Sequence, residues 1–150
     1  MKNVVIVEGV RTAYIKAGTL FNKLTAVDLG KIALRELLAR TNLDAKMLNE
    51  VIVGNIGNPP EATNVARIIA LEAGVPKNVP AYTVQRNCAS GMQSIADAYL
   101  RIISGQADLI AAGGVESMSK VPLLFNERAT GKFANLMRAR TVGAKIGTMM

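Results

Sequence analysis

The chain has 150 residues, half of them hydrophobic and 19% charged, which suffices for one domain with a sizeable core and argues against disorder. Its single cysteine excludes an intrachain disulfide framework, and no run approaches the roughly 18 uncharged apolar residues that a membrane span needs. The net charge of +7 sits in the tail: residues 119–150 carry 6 basic side chains against Glu127 alone, whereas residues 1–118 carry 12 basic and 10 acidic ones.

VVIV (Val4 to Val7) is a short β-branched run and predicts a buried strand. Thr25-Ala-Val-Asp28 has the form of a capping box. Ala26, Leu29, Ala33, Leu34 and Leu37 follow it at helical spacing, so a helix is expected over 25–40. VIV (Val51 to Val53) predicts a second strand, followed by a loop of Gly and Pro breakers. Ala62, Val65, Ala66, Ile69 and Ala73 define a second helix, with Gly74 and Pro76 as its stop. AYTVQ (Ala81 to Gln85) predicts a third strand and Ala89 to Ser104 a third helix, with Met92, Ile95, Ala96, Tyr99, Leu100 and Ile103 on its inner side. LIAAGG (Leu109 to Gly114) is expected as a fourth strand. Alternation of strand and helix predicts a parallel sheet with helical crossovers. The continuous apolar strand runs predict that both sheet faces are covered. After Met118 the pattern loosens, and Phe133 to Ile146 could include an amphipathic helix.

QRNCASGMQS (Gln85 to Ser94) holds the lone cysteine. Cys88 falls at a strand-to-helix junction, where free N–H groups and the partial positive charge of a helix start stabilise a thiolate. Ala89, Ser90 and Gly91 are small, so a substrate carbonyl could approach the sulfur. Against this stands the ordinary role of a free cysteine as a small buried space-filler. The chain also has no histidine to act as base, and the nearest cations in sequence, Arg86 and Arg101, cannot accept a proton. One Cys and no His exclude a zinc site built from those ligands. Gly54 with Gly57, and Gly113 with Gly114, read as turns rather than phosphate loops. Glu116, in a glycine-rich strand exit, reads first as a capping or structural hydrogen-bond partner. Met92 and Met118 read as packing residues. The basic tail could attract nucleic acid, anionic lipid or a phosphorylated ligand, or be a solvated loop. The start MKNVVIVEGV has too short an apolar run for a signal peptide, which Glu8 also interrupts. With one cysteine, this reads as an intracellular, cytoplasmic setting.

VEGVRTAY (7–14), NVARIIALEAGVP (64–76), NCASGMQSI (87–95) and SGQADLIAAGGVESMS (104–119), in that order, resemble the N-terminal half of thiolases, the acetyl-CoA acetyltransferases and 3-ketoacyl-CoA thiolases. The resemblance spans nearly the whole chain. It is similar above all to bacterial degradative members and to those partnered in fatty-acid-oxidation complexes. It implies an α/β fold: a mostly parallel mixed sheet covered by helices on both faces over residues 1–118, and the start of an inserted basic loop domain over 119–150, with the C-terminal half absent. It implies an acyltransferase of fatty acid beta-oxidation and lipid metabolism. Cys88 matches the family's acyl-accepting cysteine, which forms an acyl-thioester while 3-ketoacyl-CoA is cleaved to acetyl-CoA, or the reverse Claisen condensation. CoA is then a substrate, and no metal or redox cofactor is implied. The partners implied are acyl-CoA and CoA, a homodimer or tetramer, and a fatty-acid-oxidation subunit. Nucleic acid is not among them, and contact of Arg138, Arg140 and Lys145 with a membrane stays open. The family's activating histidine and second cysteine have no counterpart here, so the chain is expected to be an N-terminal portion or a truncated gene product, inactive by itself. Two alternatives remain: a ketoacyl-synthase-type condensing enzyme, set aside by the G-G-x-E-x-M-S run from Gly113 to Ser119, and a non-catalytic thiolase-like binding module.

Overall fold

The structure is a computed structural model that describes residues 3–139 together with Thr141, Gly143 and Gly147. The capping box closes as its sequence form requires. Thr25 Oγ1 accepts from the Asp28 N–H at 3.1 Å, and Asp28 Oδ2 accepts from the Thr25 N–H at 3.0 Å. Helix α1 then runs over Ala26–Thr41 and ends at Asn42 in the left-handed conformation, φ 50°. A 3-10 turn, Ala45–Met47, leads into strand β1, Glu50–Gly54. Helix α2 spans Val65–Ala73, between the N-cap Asn64 and the left-handed Gly74. It starts later than its apolar pattern predicts, because Asn64 Oδ1 takes the Arg67 N–H at 3.1 Å and so caps the helix there; Ala62 is buried in the turn before it. Strand β2 is Ala81–Val84, helix α3 Ser90–Ile103 and strand β3 Ile110–Gly114. A second 3-10 turn, Met118–Lys120, is followed by helix α4, Glu127–Arg138.

The sheet has the order β2-β1-β3, with both pairs parallel. The right-handed crossover from central β1 through α2 to β2, and the return from β2 through α3 past β1 to β3, run in opposite directions across the sheet, which puts α2 on one face and α3 on the other. Side-chain alternation along β1 fits this arrangement. Val51 and Val53 join the buried cluster of Val65, Ala66, Ile69 and Ala70 from α2, while fully buried Ile52 belongs to the opposite face. Helix α1 forms a further layer on α2. Gly30 permits the crossing, since a Cβ there would lie 2.3 Å from Ile69 Cδ1. Lys31 seals the contact by bridging Asp28 at 3.3 Å and Glu72 at 2.8 Å.

Three expectations are corrected. The run Val4 to Val7 forms no strand, and Val5, Ile6 and Val7 are 73%, 85% and 73% exposed. β-branched residues prefer a pleated, half-buried surface, and no strand among the described residues lies beside this run. The sheet therefore has three strands among the described residues, all parallel, within the expected α/β class. Second, α3 is turned over. It buries Ser90, Ser94 and Ala98 and leaves Met92, Ile95, Tyr99 and Leu100 exposed. Third, the tail helix starts at Glu127 rather than Phe133, because Asn126 Oδ1 caps it through the Ala129 N–H at 2.9 Å. Arg140, Lys145 and Ile146 lie outside the described residues. No helix of the described residues is long and apolar enough to cross a membrane.

Candidate active site

In a parallel sheet every strand delivers its next loop from the same edge, and ligand sites gather outside that edge. Here Gly54 pairs with Val84 on one side and Gly114 on the other, so the three strands end level. The loops at 55–60, 85–89 and 115–117 all leave from this edge.

Cys88 stands in the loop that leaves β2, directly before Ala89, the N-cap of α3, and its side chain is exposed. The turn around it is tight. Asn87 adopts the left-handed region with φ 47°, which Asn tolerates better than most side chains. The Ser90 hydroxyl closes the turn, accepting from the Arg86 N–H at 2.8 Å and donating to the Asn87 carbonyl at 2.6 Å. A side chain caps α1, α2 and α4; none caps α3. The helix start beside Cys88 thus keeps its positive end open to an anion.

The small face of α3 explains how the turn comes so close to the sheet. A Cβ on Gly54 would stand 2.3 Å from the Ser90 carbonyl carbon, and a Cβ on Gly114 would stand 2.8 Å from Gly91 Cα. Backbone therefore rests on backbone. Ser94 Oγ adds a bond, lying 2.7 Å from the carbonyl oxygens of both Gly91 and Gly113. Gly113 and Gly114, read from sequence as a turn, are the end of β3, and the large apolar side chains of α3 have no room on this side. The sequence carries the signal as Ser90, Ser94 and Ala98 at a four-residue interval, a stripe of small residues that hydrophobicity alone passes over.

The G-G-x-E-x-M-S run ties three loops together. Glu116 accepts the Ile56 N–H at 2.9 Å and the Gly57 N–H at 3.1 Å, and Asn55 Nδ2 at 3.2 Å. Ser117 donates to the Leu24 carbonyl at 2.7 Å, and Ser119 Oγ accepts the Gly18 N–H at 2.9 Å. The structural reading of Glu116 holds for this geometry. Asn55 and Gln85, which sequence reasoning passed over, belong to the same assembly. Asn55 donates to the Val115 carbonyl at 2.9 Å, and Gln85 Nε2 donates to the Ile56 carbonyl at 3.2 Å.

The two arginines nearest Cys88 in sequence are engaged along α3. Arg86 donates to Gln93 Oε1. Arg101 pairs with Glu50 at 3.0 Å and lies 5.4 Å from the Tyr82 ring centre. Burial pushes the Glu50 carboxyl above its usual 4.5, and Arg101 pulls it back. An open hollow of about 570 Å³ borders this cluster, lined by Tyr82, Asp97, Arg101 and Gln106; Cys88 does not line it. Met118 is exposed, like Met92, so neither packs a core among the described residues. In the tail, Lys120, Arg128, Lys132 and Arg138 are all exposed, and α4 buries no residue. Among the described residues no group of three or more Cys, Asp, Glu or His gathers as metal ligands would.

Residues 4–145 match the family described as "Thiolase, N-terminal domain". The 3-ketoacyl-CoA thiolase of Aeromonas salmonicida is 37% identical over 141 residues, which is 94% of this chain and 32% of that protein. The acetyl-CoA acetyltransferase of Bacillus anthracis superposes with a TM-score of 0.70 at 37% identity, over 73% of this chain and 28% of that one. A thiolase from Ascaris suum, solved with coenzyme A, gives a TM-score of 0.71 at 31% identity over 74% of this chain and 29% of that one. The chain thus spans about a third of the length of the curated relatives it matches.

Proposed function

The chain belongs to the thiolase family through its N-terminal domain, and on that premise we propose that Cys88 is the nucleophile of a thiolase-type acyl transfer on CoA thioesters. The observation that carries this reading is the placement of an exposed thiol directly before a helix that no side chain caps, followed by the small residues Ala89, Ser90 and Gly91, at the carboxyl edge of the sheet.

The thiolate sulfur attacks the 3-keto carbonyl of a 3-ketoacyl-CoA. The bond between C2 and C3 breaks, and its electron pair stays on C2, which takes a proton and leaves as acetyl-CoA. The shortened acyl group remains on Sγ as a thioester. The thiol of free CoA then attacks that thioester, gives up its proton and leaves as acyl-CoA, returning the sulfur. Division through a covalent intermediate lowers each barrier. These 150 residues hold no histidine to carry the proton transfers, and by themselves they are expected to be inactive. CoA enters as substrate, without a resident metal or redox group. We assign residues 1–118 to the catalytic α/β domain and residues 119–150 to the start of a basic loop domain, because α4 buries none of its side chains against the sheet layers. Its exposed cations suit the phosphates of CoA. A homodimer or tetramer would cover the apolar side chains left exposed on α3.

The test is intact-mass spectrometry of the full-length enzyme mixed with 3-ketoacyl-CoA and no free CoA. An acyl adduct on Cys88 is expected, with its loss in Cys88→Ala along with thiolysis. Normal thiolysis by that variant would remove the proposal.

A further inference from the structure

Glu116 has no part in the chemistry above, yet it holds the loop that touches the approach to Cys88. Its two carboxylate oxygens take the N–H groups of Ile56 and Gly57 and the Asn55 amide, charge-assisted bonds stronger than neutral ones. The fit is close, since a Cβ on Gly57 would lie 2.6 Å from Glu116 Oε1 and would make that carboxylate shift. The loop held in this way meets the run into Cys88 at two points. The Asn55 N–H donates to the Val84 carbonyl at 3.2 Å, and the Ile56 carbonyl accepts from Gln85 Nε2 at 3.2 Å. Asn58 is left-handed, φ 44°, and its N–H goes back to Asn55 Oδ1 at 2.9 Å. The loop therefore folds round the carboxylate, and Ile56, which receives Gln85, is itself exposed rather than packed into the core.

We propose that Glu116 is a positioning residue for Cys88, acting through the Ile56 carbonyl and the Gln85 side chain to fix the turn that presents the sulfur. The inference rests on the reading of Cys88 as nucleophile. In Glu116→Gln one oxygen becomes an amide that can only donate, facing backbone N–H donors, so the loop loosens while the size of the side chain is kept. A sulfur displaced by a fraction of an ångström lowers the rate of attack more than it lowers affinity for a CoA substrate held elsewhere.

The experiment compares the full-length wild-type enzyme with Glu116→Gln, Gln85→Ala and the double variant. It measures kcat and KM with a 3-ketoacyl-CoA and the rate of Cys88 alkylation by iodoacetamide. Each single variant is expected to lose kcat by about tenfold, to alkylate at a changed rate and to keep KM within about twofold. Because both act along one path, the double variant is expected to lose no more than the worse single, where independent effects would multiply. Wild-type kcat in a folded Glu116→Gln protein, or multiplied losses in the double, overturns the proposal. Should Glu116→Gln fail to fold, Gln85→Ala decides alone, since Gln85 is exposed and outside the core; full kcat in that variant overturns the proposal equally. Failure of the nucleophile reading shows differently, as a wild-type enzyme with no acyl adduct on Cys88. The alkylation ratios would still report whether Glu116 governs the turn.

Discussion

Gly113 and Gly114 are neighbours in one strand with opposite demands. A Cβ on Gly113 would meet nothing within 4 Å, whereas one on Gly114 would stand 2.8 Å from the backbone of Gly91. Gly113→Ala is therefore expected to be tolerated within about 0.5 kcal/mol, the chain losing only unfolded-state freedom. Gly114→Ala must push α3 off the sheet, and a loss of about 1–3 kcal/mol is expected, measured as a fall in the urea midpoint. Since Ser90 and Gly91 carry the Cys88 turn on their backbone, iodoacetamide labelling of the surviving folded Gly114→Ala protein should also change, and labelling of Gly113→Ala should not. Equal midpoints for the two variants would contradict the close approach.

Among the helices, α1 has the most complete start and α3 the barest. The Thr25 backbone N–H, and then its hydroxyl, hold the Asp28 carboxyl below its usual 3.8. A carboxyl depressed in the folded state contributes stability that is fully present above pH 3.8 and is lost as pH falls through the lower folded value. Thr25→Ala is expected to remove about 1 kcal/mol at pH 7. Asp28→Asn should flatten the decline in stability below about pH 4, as seen in thermal unfolding at stepped pH. An Asp28→Asn protein with an unchanged acid profile would refute this account of α1. No such cap sits on α3, and the cap signals at Thr25, Asn64 and Asn126 show that this chain uses them freely elsewhere.

At the scale of the whole molecule, the described chain leaves an unusual amount of apolar surface open: Met92 at 69% and Leu100 at 55% on α3, together with Val5, Ile6, Leu123 and Leu124. Met92, Ile95 and Tyr99 lie at helical spacing on one face of α3, and an exposed apolar face of this kind marks a contact or an aggregation hazard. Produced alone, the 150 residues are expected to self-associate and bind a hydrophobic dye, and Met92→Lys with Leu100→Lys to reduce both without lowering the melting temperature. Sedimentation and dye fluorescence check this; a monodisperse, dye-silent wild type would contradict it. From α1 onward the order of strands and helices, the stop at Gly74 and the seat of Cys88 before a helix could be read from the sequence. Each of these is written in residues within a few positions of one another, where capping, turn preference and period act. The inward face of α3 could not be read in this way. The apolar period names the Met92, Ile95, Tyr99 and Leu100 side as the buried one, and only the approach of Gly91 to Gly54 and Gly114 decides for the opposite side. The grip of Glu116 on Ile56 and Gly57 joins residues about sixty positions apart. No local pattern encodes such a contact; it exists because a parallel sheet brings the ends of β1 and β3 side by side.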